Sequence, residues 1–264
     1  MICKQKKIGH TGTLDPEASG VLPVCLGNAT KLCDLLTDKD KEYRAVLLLG
    51  VETDTQDTTG QILEEKEVNA GEEDVRSAIL SFVGPYDQIP PMYSALKVNG
   101  QKLCDLARKG RQVERQPRPV TIHELTLLSR EGDTLHLRVR CSKGTYIRTL
   151  CADIGEALGC GGCMQALRRT QAGEYTIAEA VPLQQLLEAA EPETYLRDVD
   201  TMFRGYPVVK LTVNQEKRCR NGNAFSVSLP GGTYRAYSQS GEFLMLAKVE
   251  DGVMSTIKSF FDVQ

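Results

Sequence analysis

The chain has 264 residues, 41% hydrophobic and 25% charged, with a formal net charge of −3. That is an ordinary balance for a globular protein with a sizeable core. It contains no apolar run long enough to cross a bilayer as a helix, and its basic start, Met1 to Lys7, lacks the apolar stretch of a signal peptide. Nine cysteines, an odd number scattered along the chain, fit reduced and mostly buried thiols in a reducing, cytoplasmic location better than a disulfide framework.

The first informative stretch is Gly9-His10-Thr11-Gly12-Thr13-Leu14-Asp15-Pro16. Proline pushes the residue before it out of helical geometry, so the backbone at Asp15 is restricted. A reactive carboxylate profits from such rigidity. Asp-Pro-Glu is equally a helix start, with Asp15 as cap. Tyr43–Leu49 reads as a buried strand ended by Gly50. The polar segment from Glu52 to Gly60 reads as a loop, and Gln61–Val68 as a strand. Glu72–Val83 carries apolar residues at helical spacing and stops at Gly84-Pro85.

Ile89-Pro-Pro opens an irregular excursion that includes a short helix, Gln101–Lys109. Between Lys97 and Arg118 seven basic residues face two acidic ones. Such local charge suits a phosphate backbone. Val120–Leu128 and Thr134–Cys141 read as a hairpin. In its second strand Leu135, Leu137, Val139 and Cys141 alternate with His136, Arg138, Arg140 and Ser142. A helix through Ala152, Ile154 and Leu158 follows, and another spans Gln184–Ala190. Beyond Gly205 the chain is β-rich. A short helix at Gln215–Asn221, with Asn214 as its cap, precedes three short strands set apart by glycine turns.

The pair Cys160-Gly-Gly-Cys163 has the spacing of a zinc or redox site, but a four-ligand site needs a second pair. The three histidines, His10, His123 and His136, stand apart from one another. No metal is expected.

Three motifs together point to a family: Gly9 to Pro16, Asp40-Lys-Glu-Tyr43-Arg44, and Lys143-Gly-Thr-Tyr146-Ile147-Arg148. Gln88-Ile-Pro-Pro-Met-Tyr-Ser-Ala-Leu-Lys97 and Leu167-Arg-Arg169 add to them. The chain resembles the bacterial tRNA pseudouridine synthase B (TruB) family from about residue 6 to its end. The resemblance implies an α+β fold. A mixed, mainly antiparallel sheet flanked by helices would form a catalytic domain over residues 1–204. A small β-rich, PUA-like RNA-binding domain would occupy residues 205–264. It also implies an insertion over about Pro91–Pro119 that grips RNA.

The implied reaction isomerises uridine 55 in the T-loop of tRNA to pseudouridine. It needs no cofactor and no metal, because nothing is oxidised, reduced or added. Asp15 would be the nucleophile and Arg148 its ion-pair partner. Tyr43 would stack on the base and handle a proton. Tyr146 and Leu167 would wall the pocket. His10 would pack into the RNA loop as the base flips out. Lys97, Lys102, Arg108, Lys109 and Arg111 would meet the RNA backbone. In extended geometry Tyr146 and Arg148 would face the same side.

The family pattern includes a further N-terminal segment with an Asp-Lys-Pro-x-Gly-x-Thr-Ser motif. Without it an unpaired sheet edge is expected. The alternative function is a non-catalytic tRNA-binding or folding protein. A monomer with tRNA as partner, no membrane association and no obligatory protein partner is expected.

Overall fold

The computed structural model describes residue 3 and residues 5–261. The chain separates into two compact units. One comprises Gly12–Pro23 with Leu35–Ala180. The other gathers Val24–Asp34 and Val181 onward with the segment ending at Thr11.

The first unit is built on a seven-stranded sheet. Its order is Tyr175–Thr176, Gly162–Ala172, Lys41–Leu49, Thr134–Cys141, Arg118–Glu131, Gly84–Gln88, and Ser19–Gly20 pairs with the second of these. Every pair is antiparallel except Ser19–Gly20, which runs parallel to Arg168–Arg169. The Lys41–Leu49 strand alternates cleanly, with Tyr43, Ala45, Leu47 and Leu49 buried. Register carries this face to both neighbours. Tyr43 lies opposite Val139 and Arg169, and Ala45 lies opposite Leu137 and Leu167. Residues directly opposed across strands share a face, so Tyr43, Leu167 and Arg169 are presented together.

The helix Ile147–Ala157 packs on that face. Its Ile147, Leu150, Cys151 and Ile154 are buried at i, i+3, i+4 and i+7, the spacing of one helical stripe. They join Leu47, Leu137 and Met164 in one core. Gly155 is where helix and sheet come closest. A Cβ there would stand 2.3 Å from the Gly161 carbonyl carbon and the Gly162 nitrogen.

Several expected elements differ in extent. The helix foreseen over Glu72–Val83 ends at Ser81, and the chain then enters the strand Gly84–Gln88. Pro85 is tolerated because this is the sheet's outermost strand. The helix foreseen over Gln101–Lys109 is reduced to Leu103–Ala107. Gln101 and Lys102 pair instead with Val98 and Lys97. Asp15-Pro16-Glu17 does not start a helix. It forms one turn, closed by the Ala18 N–H donating to the Asp15 carbonyl at 2.9 Å.

In the second unit, Ile8–His10 pairs antiparallel with Val24–Leu26. A five-stranded sheet runs Val208–Lys210, Gly232–Tyr237, Phe243–Glu250, Val253–Ser259, Phe225–Ser226. The helix Val213–Arg220 is capped by Thr212, not by Asn214. The Thr212 hydroxyl accepts from the Gln215 N–H, and the Gln215 side chain accepts from the Thr212 N–H. That reciprocal pair outcompetes a lone asparagine two residues further on.

This unit starts well before Gly205. Phe203 sits 6.0 Å from the Phe243 ring and 5.9 Å from the Phe260 ring, and the Tyr237 hydroxyl donates to Asp200 at 2.5 Å. These contacts bind residues 199–203 to the β-sheet that follows. Among the described residues, no helix is long and apolar enough to cross a membrane.

Candidate active site

Asp15 projects from the loop that opens the first unit. Its carboxylate meets the Arg148 guanidinium in a fork. Nε donates to Oδ2 at 3.2 Å and Nη2 donates to Oδ1 at 3.1 Å. Two parallel bonds fix the direction of a carboxylate as well as its charge. Arg148 is 5% exposed, and its other donors are engaged. Nη2 also donates to the Tyr93 carbonyl at 2.7 Å, and Nη1 donates to the Thr55 carbonyl at 3.0 Å. The Asp57 carboxylate lies 3.7 Å from Nη1. Asp15 is the open side of this arrangement, its side chain 34% exposed. The pair is a buried cation holding an accessible anion.

Three distant segments converge on Arg148: the Gly-rich loop, the polar loop after Glu52, and the Gln88–Lys97 stretch. The polar loop is itself organised by Asp57. Its Oδ1 accepts from the Thr55 hydroxyl at 2.7 Å, the Thr59 hydroxyl at 2.6 Å and the Thr59 N–H at 3.0 Å. That holds the Thr55 carbonyl in place for Arg148.

Tyr146 and Arg148 are not both extended. Tyr146 is the extended N-cap, and Arg148 is already the second residue of the helix. The cause is Gln88, which is 1% exposed. Its Oε1 accepts from the Tyr146 N–H at 2.8 Å, and its Nε2 donates to the Tyr146 carbonyl at 3.0 Å. A side-chain amide thus pairs with the Tyr146 backbone as a strand would, and the helix begins at the next residue.

Tyr43 is buried on the sheet face, and burial pushes its phenol up to about 12, an effect the Arg169 guanidinium partly offsets. Asp15 is close enough to add to the upward shift. Tyr43 is therefore a neutral phenol across the physiological range. Leu167 is buried on the same face, next to the Tyr43 row. Arg169 is 2% exposed and braces the Asp15 loop at both ends. Its Nη2 donates to the Gly12 carbonyl at 3.1 Å, its Nε donates to the Val21 carbonyl at 2.7 Å, and its own carbonyl accepts from the Val21 N–H at 2.9 Å. Gly20 must be glycine here: its φ is +112°, and a Cβ would fall 2.1 Å from the Arg169 carbonyl oxygen.

The structure thus brings Asp15, Tyr43, Leu167, Tyr146 and Arg148 into one unit, with Arg148 holding Asp15. His10 belongs to the other compact unit, where it is exposed at the end of its strand. The cations Lys97, Lys102, Arg108, Lys109 and Arg111 are all exposed. Lys97 and Lys102 are cross-strand partners in a two-residue ribbon. Leu103 and Leu106 are the buried residues of the short helix that Arg108 closes as its C-cap.

Sequence reasoning missed Asp57 and the bracing roles of Gln88 and Arg169. Asp57 lay in a stretch read only as a polar turn. Gln88 and Arg169 lay inside quoted motifs without a role. Cys160 and Cys163 are both buried. No group of three or more His, Cys, Asp or Glu side chains suited to a metal occurs among the described residues.

Two family models match the chain. The TruB family pseudouridylate synthase N-terminal domain covers residues 1–147, and the tRNA pseudouridylate synthase B C-terminal domain covers residues 148–200. The tRNA pseudouridine synthase B of Lachnoclostridium phytofermentans is 54% identical over 233 residues, 84% of this chain and 76% of the relative. That of Pseudomonas fluorescens is 46% identical over 259 residues, 94% and 84% of the two chains.

Among solved structures, a chain of a Cbf5-Nop10-Gar1 complex matches with a TM-score of 0.69 at 24% identity, covering 99% of this chain and 79% of that one. A chain of an H/ACA RNP bound to a substrate RNA containing 2′-deoxyuridine matches with a TM-score of 0.67 at 22% identity, over 100% and 79%. These last two share the fold. From the family models and the identity with these relatives, the chain belongs to the TruB family of pseudouridylate synthases.

Proposed function

We propose that this chain isomerises uridine 55 in the T-loop of tRNA to pseudouridine, with Asp15 as the nucleophile. The observation that carries the reading is the forked Asp15–Arg148 pair, in which a guanidinium fixed by two backbone carbonyls aims a half-open carboxylate. Two parallel bonds from the guanidinium fix the direction in which the carboxylate points. A carboxylate can divide a difficult bond exchange into two easier covalent steps.

The glycosidic bond breaks, the uracil turns, and a carbon–carbon bond joins it to the same ribose. Atoms and electrons are conserved overall, so the protein has to supply only a nucleophile, position and proton transfer. Tyr43 and Leu167 offer an aromatic and an aliphatic surface for the freed base. Tyr43 keeps its proton to pH values well above neutral, which suits a phenol that donates to, or orients, the base. A uridine within a folded loop must leave its stack to reach Asp15. His10 is proposed to pack against the RNA as it does so, and Tyr146 to wall the pocket. The exposed cations from Lys97 to Arg111 would hold phosphates of the T-stem-loop, as loop recognition in RNA requires. The five-stranded sheet unit is read as a PUA-like RNA-binding domain, and the chain as a cytoplasmic monomer acting on tRNA without a protein partner.

The test is a T-stem-loop transcript incubated with the purified chain and assayed for pseudouridine by position. Conversion at position 55 is expected. Conversion at another uridine, or none, would overturn the assignment.

A further inference from the structure

The strand pair Ile8–His10 and Val24–Leu26 places Gly9 directly opposite Cys25. Opposed residues of an antiparallel pair project to one face, a few ångströms apart. On that face Gly9 has no side chain. A Cβ built there would stand 2.7 Å from the Cys33 Sγ, with Thr30 Cγ2 next at 3.5 Å. The Cys33 sulfur therefore occupies the space glycine leaves empty, beside Cys25. The Cys25 and Cys33 thiols are close enough to influence each other. Cys25 is buried, and Cys33 is partly exposed. Burial, reinforced by the Cys33 thiol, pushes the Cys25 thiol up to about 12.

Cys104, Cys160 and Cys163 contrast with this pair. Cys160 and Cys163 are both buried, so neither offers a reagent an entry point. Cys104 is partly exposed, but its sulfur approaches the Asp105 carboxylate rather than a thiol. Cys25 and Cys33 combine an accessible sulfur with a second one already in contact.

We propose that Cys25 and Cys33 form a dithiol site that reacts with low-molecular-weight disulfides and closes to an internal disulfide. Cys33 loses its proton to solvent, and its thiolate attacks one sulfur of the reagent. The reagent's S–S bond breaks, and one small thiol leaves. Cys25 then gives up its proton and attacks the Cys33 sulfur, and the second small thiol leaves. Two protein thiols are oxidised by two electrons, and the reagent disulfide is reduced to two thiols. Exchange of this kind proceeds through a mixed disulfide and depends on access to the attacked sulfur. Cys25 is a poor attacker of outside reagents, being buried and protonated. It needs only to act on the sulfur it touches. Excess small thiol reverses the sequence.

The sequence supplies a direct assay. Lys31 lies between the two cysteines, so trypsin separates them onto the peptides Ile8–Lys31 and Leu32–Lys39. The native full-length chain is incubated with oxidised glutathione, its remaining thiols are alkylated, and it is then digested. The expected result is a cross-linked pair of these two peptides, lighter by two hydrogens than their sum. Both thiols should be lost together, and added reduced glutathione should restore them. In Cys25→Ser, Cys33 should keep a stable glutathione adduct. In Cys33→Ser, Cys25 should stay unmodified. The proposal is overturned if wild-type Cys33 retains glutathione without cross-linking, or if both cysteines remain alkylatable after Cys104 has reacted.

Discussion

The surroundings of Arg148 and the basic stretch from Lys97 to Arg111 use the same kind of charge in opposite ways. Arg148 is buried and engaged by Asp15, Thr55 and Tyr93, with Asp57 close by. Its orientation is settled before any RNA arrives. Lys97, Lys102, Arg108, Lys109 and Arg111 are exposed; Arg108 has Asp105 nearby, at 3.5 Å. Exposed ion pairs of that sort contribute little, and such side chains stay free to meet a flexible polyanion. On the proposed reading, the difference separates a rigid part that aims a reacting group from an adaptable part that binds. A loss at the first should appear in the chemical step, and a loss at the second in affinity and its salt dependence.

The largest effect is expected from Asp15→Asn. It should lower the single-turnover rate by a factor on the order of 10⁴ or more, as loss of a nucleophile does, with RNA affinity nearly intact. Arg148→Lys comes next. A lysine keeps the charge but loses the fork and the bonds to Thr55 and Tyr93. The rate should fall by about 10²–10³, the scale of losing a preorganised charge contact. If Arg148→Lys weakened binding and left the rate alone, the division between the two regions would fail.

Arg108→Ala and Lys109→Ala should leave the saturated rate within about twofold. Each should lower the salt slope of binding by roughly one unit per lost phosphate contact. Slopes equal to wild type would remove these residues from the RNA interface.

The smallest effect concerns Tyr43 and pH. The folded chain holds the phenol proton up to about 12, whereas an unfolded tyrosine releases it near its ordinary value of 10.0. Between those values the folded state binds more protons, so stability falls as pH rises through that window. Below it the contribution is constant. Tyr86, whose phenol burial also shifts upward, adds to the same slope. Tyr43→Phe should therefore reduce the loss of stability above pH 10 without abolishing it. Denaturant midpoints measured across the alkaline range would show this, and an unchanged slope would mean that Tyr43 is not buried as described.

The parts of the fold set by local pattern were legible in the sequence. An apolar run marked the strand at Tyr43–Leu49, alternation marked the one at Thr134–Cys141, and Ala152, Ile154 and Leu158 marked the body of the following helix, whose start at Ile147, with Arg148 on it, was not foreseen. Features set by distant partners were not. The strand at Gly84–Gln88 carries a proline, and only its place at the sheet edge makes that acceptable. The Arg148 helix starts after Tyr146 because Gln88, far away in sequence, takes the Tyr146 backbone. At the site, Asp15 and Arg148 were named through family motifs. Asp57 and Arg169 were not, since a turn-rich loop and a basic pair look solvated until the fold buries them.

The central claim is that Asp15, held by Arg148, performs the chemistry, while the exposed cations only bind. The measurement that tests it most directly is a single-turnover assay of pseudouridine at position 55 with saturating enzyme. It would compare wild type, Asp15→Asn, and a chain carrying both Arg108→Ala and Lys109→Ala. No product from Asp15→Asn, with near-normal product from the double variant once RNA is saturated, is the predicted result. Product from Asp15→Asn at a rate near wild type would contradict the account.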